Sequence, residues 1–546
     1  MGEIRPRAWI REAGDSALLL ELEAAIDAGV NARAIAIADA VRQRDLPGIR
    51  DVVSTFHSVA VFFDPVSTDV AAVAAALHEE SGVAVPRRTG RAIDVPVAYG
   101  GDAGPDLAEV AAFARCTPQT VVERHASRPY RVFMLGFLPG FAYMATVDET
   151  IAAPRKATPR VRVPAGSVGI AGRQTGIYPS ESPGGWQIVG RTGLAVFDPA
   201  RTPPALFLPG DEVRFVPVDS RPDIVVSGFS RTGVRLEAGT RFITILRPGL
   251  LTTIQDSGRW GYQGLGVPVS GPMDPAAQRV ANALVGNPRD AATLEATLVG
   301  PEVRFEQHTR IVVAGADLQA TLDGADVLLH RAVRCRPGSV LRFGDRRSGA
   351  RAYVAFDGGI AVPPVLGSRA THLLSGLGGL EGRALRAGDR IPLGAAGDGL
   401  KPGPYLSPES THGARLRVLP GPQAEAFDAS AFETLQCSRF LVSPQSDRMG
   451  YRLTGDTPVL RTATDDMISD VAFVGGLQVP PSGQPILLMA DRQTTGGYPQ
   501  IAVVITADLP VAAQLAPGDW VEFVVCSRSE AIAALVAQEG RILALG

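Results

Sequence analysis

The sequence predicts a mainly β protein, with a small α+β unit in front and three related β-barrel modules behind it. Three observations carry this. Gly (60) and Pro (43) make up nearly a fifth of the 546 residues, above the ordinary ~12%, and both punctuate short strands better than helices. Apolar residues reach 45% and charged residues only 20%, which suits packed cores and excludes disorder or a coiled coil. The chain also repeats itself: YVAFDGGIAVPP (353–364) and DVAFVGGLQVPP (470–481) match at eight of twelve positions, 117 residues apart. A chain of this length exceeds one ordinary core, so several domains are expected.

Residues 1–84 read as the α+β unit. Gly14–Glu21 is a turn and strand, and Asn31–Arg44 an Ala/Ile-rich helix closed by Pro47 and Gly48. Val52–Phe63, β-branched and aromatic, is a strand or hairpin, and Asp69–Glu80 an Ala-rich helix with Ser67 or Thr68 as N-cap. This βαββα order suits a ferredoxin-like sandwich. From residue 85 the texture changes to short strands broken by Gly and Pro. The modules fall at 85–225, 240–405 and 406–546, with polar Val218–Arg241 as the main boundary. A weaker third copy of the first repeat begins at Tyr130, and RQTGIYP (173–179) echoes RQTTGGYP (492–499). Each module ends in a Pro/Ala-Gly-Asp turn running into a strand, at Asp211, Asp389 and Asp519. The period is too long for a propeller blade but long enough for each module to close a small barrel. In the second module Asp274 can cap a helix that has Pro275 at its first position and stops at Gly286-Asn287-Pro288. A terminal helix follows Ser529.

Composition excludes several chemistries. A formal net charge of −3 gives no nucleic-acid footprint. The two lysines, Lys156 and Lys401, precede Ala157 and Pro402, so there is no Walker A loop, and neither has the Met-Lys-Met context of a biotin attachment site. Cys116, Cys335, Cys437 and Cys526 form no CxxC, which argues against a disulfide framework or zinc site. The seven His are scattered without metal-ligand spacing, and Asp465-Asp466 point apart in a strand, so no metal site is expected. There is no apolar run of ~18 residues and no apolar segment at the start, so a cytoplasmic protein without a membrane partner is expected.

Four segments could carry chemistry. Pro159–Thr192 is Gly- and Pro-rich, so its backbone amides can approach an anion closely. Arg160, Arg162, Arg173, Gln174 and Tyr178 add donors there and Trp186 a pocket wall; the bland alternative is a tightly turned barrel with solvated Arg side chains. Thr252–Asp274 offers Asp256, Arg259, Ser270 and Asp274, the last equally explained as a helix cap. Ser446–Arg452 offers Asp447 and Arg452, which are functional if they face a cleft and a weak surface pair otherwise. The fourth joins Gln484 to Asp491-Arg492-Gln493-Thr494.

LGFLPGFAYM (135–144), followed by PRVRVPAGSVGIAGRQTGIYP and SPGGWQIVGRT, closely resembles the allophanate hydrolase subunit 1 family, also described as the B subunit of 5-oxoprolinase or as kinase-inhibitor Kip proteins. LTTIQDSGRWGYQGLGVPVSGPMD, SDRMGYRL and VAFVGGLQVPPSGQPILLMADRQTTGGYPQIAVV resemble allophanate hydrolase subunit 2, equivalently the C subunit of 5-oxoprolinase. The resemblance covers nearly the whole chain, in the order B then C, as in a fusion. It implies cyclophilin-like barrels in both halves, of carboxyltransferase subdomain C/D type in 85–225 and A/B type in the C half. It also implies kinship with the carboxyltransferase module of urea carboxylase, whose halves clasp a cleft for carboxybiotin and urea. The favoured function is the B/C component of a 5-oxoprolinase. With a separate A subunit, ATP and Mg²⁺, it would hydrolyse 5-oxoproline to glutamate, with no covalent biotin on this chain. The alternatives are a carboxyltransferase module for urea or a guanidine-type acceptor, and a Kip-type regulator of a sensor histidine kinase. On the favoured reading Asp256, Asp274, Arg173 and Arg259 are the candidate catalytic residues. Arg160, Gln174, Thr175, Tyr178, Trp186, Ser270, Asp447, Arg452, Gln484, Gln493 and Thr494 would contact a small-molecule substrate. Homo-oligomerisation is left open.

Overall fold

A computed structural model describes residues 8–83, 90–219, 239–396, 412–462 and 467–545. Lys401, Asp465-Asp466 and most of the Val218–Arg241 boundary lie outside them.

The N-terminal strands Trp9–Glu12, Ala17–Glu21, Ile49–Ser54 and Ser58–Phe63 form an antiparallel sheet in the order first, second, fourth, third. Helices Ala28–Gln43 and Val70–Ser81 cover one face. Helix Ala28–Gln43 buries Ala34, Ile37, Ala38 and Val41, one stripe at helical spacing. It starts earlier than Asn31, because the Asp27 carboxylate accepts from the Gly29 and Val30 amides at 2.7 and 2.9 Å. Asp69, not Ser67 or Thr68, caps the second helix, accepting from Ala71 and Ala72. The sandwich is ferredoxin-like with one change. Strand Trp9–Glu12, too short to show a pattern in sequence, comes first and fills the edge that a strand after the second helix would take. Alternate residues of the sheet serve opposite faces. Leu18, Leu20, Val59 and Val61 meet the helices, while Ala17, Leu19, Ala60 and Phe62 meet Val471 and Phe473 of the C-terminal module.

Two modules close as seven-stranded barrels. The first joins, in ladder order, Gln174–Ile177, Ala142–Ala145, Tyr130–Leu135, Glu212–Pro217, Ala92–Tyr99, Gln187–Arg191 and Ser167–Ala171. The last joins Ile486–Leu488, Gly450–Thr454, Phe440–Val442, Trp520–Val525, Gly413–Pro420, Gln500–Val504 and Gly476–Gln478. Counted along the chain, both follow the same strand order, and in both the first and last strands pair in parallel. Closure leaves no edge to protect.

The middle module differs from the expected barrel. It has a six-stranded and a five-stranded sheet over a shared core that includes Ile243, Val303, Val313 and Phe356. Helix Pro275–Val285 packs on the outer face of the five-stranded sheet against Val312, Ala314, Tyr353 and Ala355, so that sheet is buried on both sides. The third repeat copy at Tyr130 and the 173–179 echo are not equivalences of fold. Tyr130 opens the second strand of its barrel, whereas the 470–481 segment carries the fourth, Gly476–Gln478. Gln174–Ile177 is a barrel strand, whereas 492–499 lies between the fifth and sixth strands.

Candidate functional site

The segment after strand Leu251–Gln255 turns repeatedly through left-handed backbone, at Gly258, Gly261, Gly266, Ser270 and Gly271. Its polar residues separate into two groups. Asp256 faces inward: its carboxylate accepts from the Gly258 amide at 3.0 Å, the Ser368 hydroxyl at 2.5 Å and the Arg369 amide at 2.5 Å. Arg259 is buried and donates to the Ala370 carbonyl at 2.5 Å; burial pushes its guanidinium down to about 10. Both residues hold loop 365–371.

Asp274 caps helix Pro275–Val285, accepting from the Ala277 amide and from Gln514 Nε2, each at 2.8 Å. Burial pushes its carboxyl up to about 6, and nearby Glu295 adds to the rise. Ser270 belongs to a second, buried network. Its hydroxyl donates to Asp491 at 2.7 Å, and Asp491 takes two bonds from Arg448 at 2.9 and 3.0 Å. Arg448 also bonds Glu295 and donates to the Gly271 carbonyl at 2.6 Å. Glu295 accepts from the Met273 amide at 2.8 Å and the Tyr353 hydroxyl at 2.7 Å. This network joins the middle module to the C-terminal barrel.

Beside it opens a cleft of about 580 Å³, lined by the N-terminal sheet, the Ser257–Ala276 segment, the C-terminal barrel and the terminal helix. Phe62 stands between Trp260 and Phe473, with ring centroids at 6.4 and 5.4 Å. Arg50 lies over Trp260 at 5.3 Å and pairs with Asp64 at 2.8 Å. Asp51 fixes the Trp260 loop from the N-terminal sheet, its carboxylate accepting from the Gly261 and Gln263 amides at 3.1 and 3.0 Å. Gln263 Oε1 in turn accepts from Arg492 at 2.8 Å.

The residues expected from the first barrel lie elsewhere. Arg173 is exposed on the hairpin between Ser167–Ala171 and Gln174–Ile177, 3.6 Å from Glu149; Gln174 is half-buried beside it. Thr175 is in the core, bonded to Gly169 and His125, whose imidazole burial pushes down to about 3. Tyr178 and Trp186 pack around Phe141. Arg160 donates to buried Asp106 at 2.5 Å. In the last barrel, Asp447 is exposed and closes its own turn on the Met449 amide, and Arg452 is exposed. Gln484 bonds both backbone groups of Gly455, Gln493 is half-buried and Thr494 is buried. Of all the expected residues, Ser270 lines the cleft. Arg448, Asp491 and Arg492 lie within the same sequence segments and are the inward-facing members; sequence does not show which residues of these turns face inward. Among the described residues no group of three or more His, Cys, Asp or Glu could hold a metal, and no helix is long and apolar enough to cross a membrane.

Residues 8–207 match the family described as carboxyltransferase domain, subdomain C and D, and residues 265–525 match carboxyltransferase domain, subdomain A and B. The chain is 41% identical over 304 residues to the 5-oxoprolinase C subunit of Escherichia coli, which spans 54% of this chain and 95% of that protein. It is 39% identical over 232 residues to the 5-oxoprolinase B subunit of Bacillus subtilis, 39% of this chain and 95% of that one. It is 34% identical over 304 residues to urea amidolyase of Saccharomyces cerevisiae, 52% of this chain but 17% of the amidolyase. The crystal structure of TTHA0988 matches with a TM-score of 0.82 and 34% identity, over 94% of this chain and 100% of that one.

Proposed function

The chain belongs to the carboxyltransferase-domain family, and from that premise we propose that it is the joined B and C component of an ATP-dependent 5-oxoprolinase. It acts with a separate A subunit, and together they open 5-oxoproline to glutamate. One observation carries this: a single chain is similar, in tandem, to almost the full length of a 5-oxoprolinase B subunit in its first half and of a C subunit in its second. The cleft supports it, because its walls come from both halves. A lactam is an unreactive amide, and its opening gains from a site that excludes bulk water and presents fixed dipoles where charge develops. The aromatic walls supply the first condition, and Ser270, held in the cleft wall by Asp491 and Arg448 behind it, supplies a fixed polar group for the second. In this reading the substrate sits in the cleft, and Asp256, Arg259 and Asp274 position its walls.

The cleft residues do not fit a nucleoside triphosphate: of the cleft's guanidinium groups among the described residues, Arg50 and Arg279 are each paired with a carboxylate, Asp64 and Glu539, which leaves Arg492 alone for several phosphate charges. The ATP requirement therefore belongs to the assembly with the A subunit. The test is ATP hydrolysis by the chain plus the A subunit, with and without 5-oxoproline. Substrate-dependent hydrolysis that needs both proteins supports the proposal, and its absence overturns it. The similarity to urea amidolyase favours a second reading, a carboxyltransferase module served by a separate biotin protein. Decay of carboxybiotin that depends on urea or a guanidine would select it.

A further inference from the structure

Among the described residues, three guanidinium groups line the cleft. Arg50 faces Asp64 at 2.8 Å and Arg279 faces Glu539 at 2.6 Å. Arg492 differs. It is 3% exposed, and its two hydrogen-bond acceptors are neutral: the Ala472 carbonyl, from Nε at 2.9 Å, and Gln263 Oε1, from Nη2 at 2.8 Å. Among the described residues it makes no ion pair and its Nη1 makes no hydrogen bond. Asp51 acts on it at a distance, but the Asp51 Oδ2 oxygen is taken by Gln263 and the Gly261 amide.

A buried cation that reaches its nearest carboxylate, Asp51, only through Gln263 is costly, and part of the cost is recovered when an anion contacts it directly. Two bonds already fix the guanidinium plane, so Nη1 is pre-positioned for an incoming oxygen. Around it stand flat apolar walls: Phe62, 6.0 Å from the guanidinium carbon, and beyond it Trp260 and Phe473. The complement of this arrangement is a small flat molecule bearing one carboxylate. We infer that Arg492 anchors the carboxylate of the substrate beside the apolar wall that Phe62, Trp260 and Phe473 form, and so selects a carboxylate-bearing lactam over an unsubstituted one. The inference rests on the 5-oxoprolinase reading for the identity of the lactam; the charge argument stands on the cleft alone.

The experiment compares 5-oxoproline with 2-pyrrolidinone, the same ring without the carboxylate. Calorimetry on the full chain alone measures binding of each, and turnover with the A subunit measures kcat/KM. Wild type should prefer 5-oxoproline. In Arg492→Gln its affinity should fall about 10- to 100-fold, the range of a lost charge-assisted bond, while 2-pyrrolidinone is unaffected. Arg492→Lys keeps the charge without the fork and should lose several-fold; it decides the matter by the same ratio if Arg492→Gln does not fold. A variant that discriminates as well as wild type overturns the anchor and leaves the function standing. A wild type without 5-oxoproline-dependent turnover overturns the function. The calorimetric arm then still decides the anchor: carboxylate binding lost in the variant supports it, and binding that is absent from wild type or unchanged in the variant overturns it.

Discussion

Arg448 is buried against two carboxylates, Asp491 and Glu295, and their attraction outweighs burial, so its guanidinium is held above its ordinary value. Asp491 is its mirror: burial would raise its carboxyl, but Arg448 keeps it lowered. Removing one partner leaves a buried charge, so Arg448→Met should cost about 3–5 kcal/mol in chemical denaturation. The Arg448→Met/Asp491→Leu pair should cost less than the sum of the two single changes. Asp274 gives a pH signature. Its carboxyl rises from 3.8 to about 6 on folding, because burial disfavours the charge. The folded state therefore binds this proton more tightly, and the stability it confers is full below the unfolded value and lost as pH rises through about 6. Against Asp274→Asn, wild-type stability should fall by up to about 3 kcal/mol between pH 4 and pH 7; a flat difference would contradict the assignment. At this scale sequence was least informative. Asp447 and Arg448 are neighbours, but only a three-dimensional turn sends one to solvent and the other into the network. Asp256 and Arg259 pair with loop 365–371, more than a hundred residues away.

The Gly-Asp turns show what a short motif can fix. Asp211, Asp389 and Asp519 each accept from the amide three residues earlier, at 2.9, 2.7 and 2.8 Å. Each also takes an Arg: Arg91, Arg383 and Arg346. The preceding Gly210, Gly388 and Gly518 all have φ near +90°. A Cβ at Gly388 or Gly518 would meet nothing within 4 Å, so Gly388→Ala and Gly518→Ala should each cost about 1–2 kcal/mol through backbone conformation alone. Thermal unfolding of the two variants checks this. These turns were legible because they are local. The helix at Pro275 was legible too, from its cap, its proline and its glycine stop. Its packing was not, since nothing local says that the helix will cover the outer face of a sheet.

The chain folds back on itself so that its N-terminal sheet lies against its last barrel. Asp470 accepts from Ser58 at 2.5 Å across 412 residues of sequence, and Asp15 accepts from Thr506 at 2.6 Å. The first barrel meets the last at Gly136, where a Cβ would lie 2.0 Å from the Thr495 hydroxyl. Two polypeptides made by cutting between residues 220 and 238 should therefore copurify, and Gly136→Val should weaken their association. Such contacts leave no trace in composition or periodicity. Sequence motifs identified the two halves, but only the fold shows a cleft built from both. The 5-oxoprolinase function is tested most directly by glutamate formation from 5-oxoproline when this chain is mixed with ATP and the A subunit. It requires glutamate and phosphate to appear in step, and neither when the A subunit is left out. Absence of glutamate from the complete mixture, alongside urea-dependent loss of carboxybiotin, would contradict it.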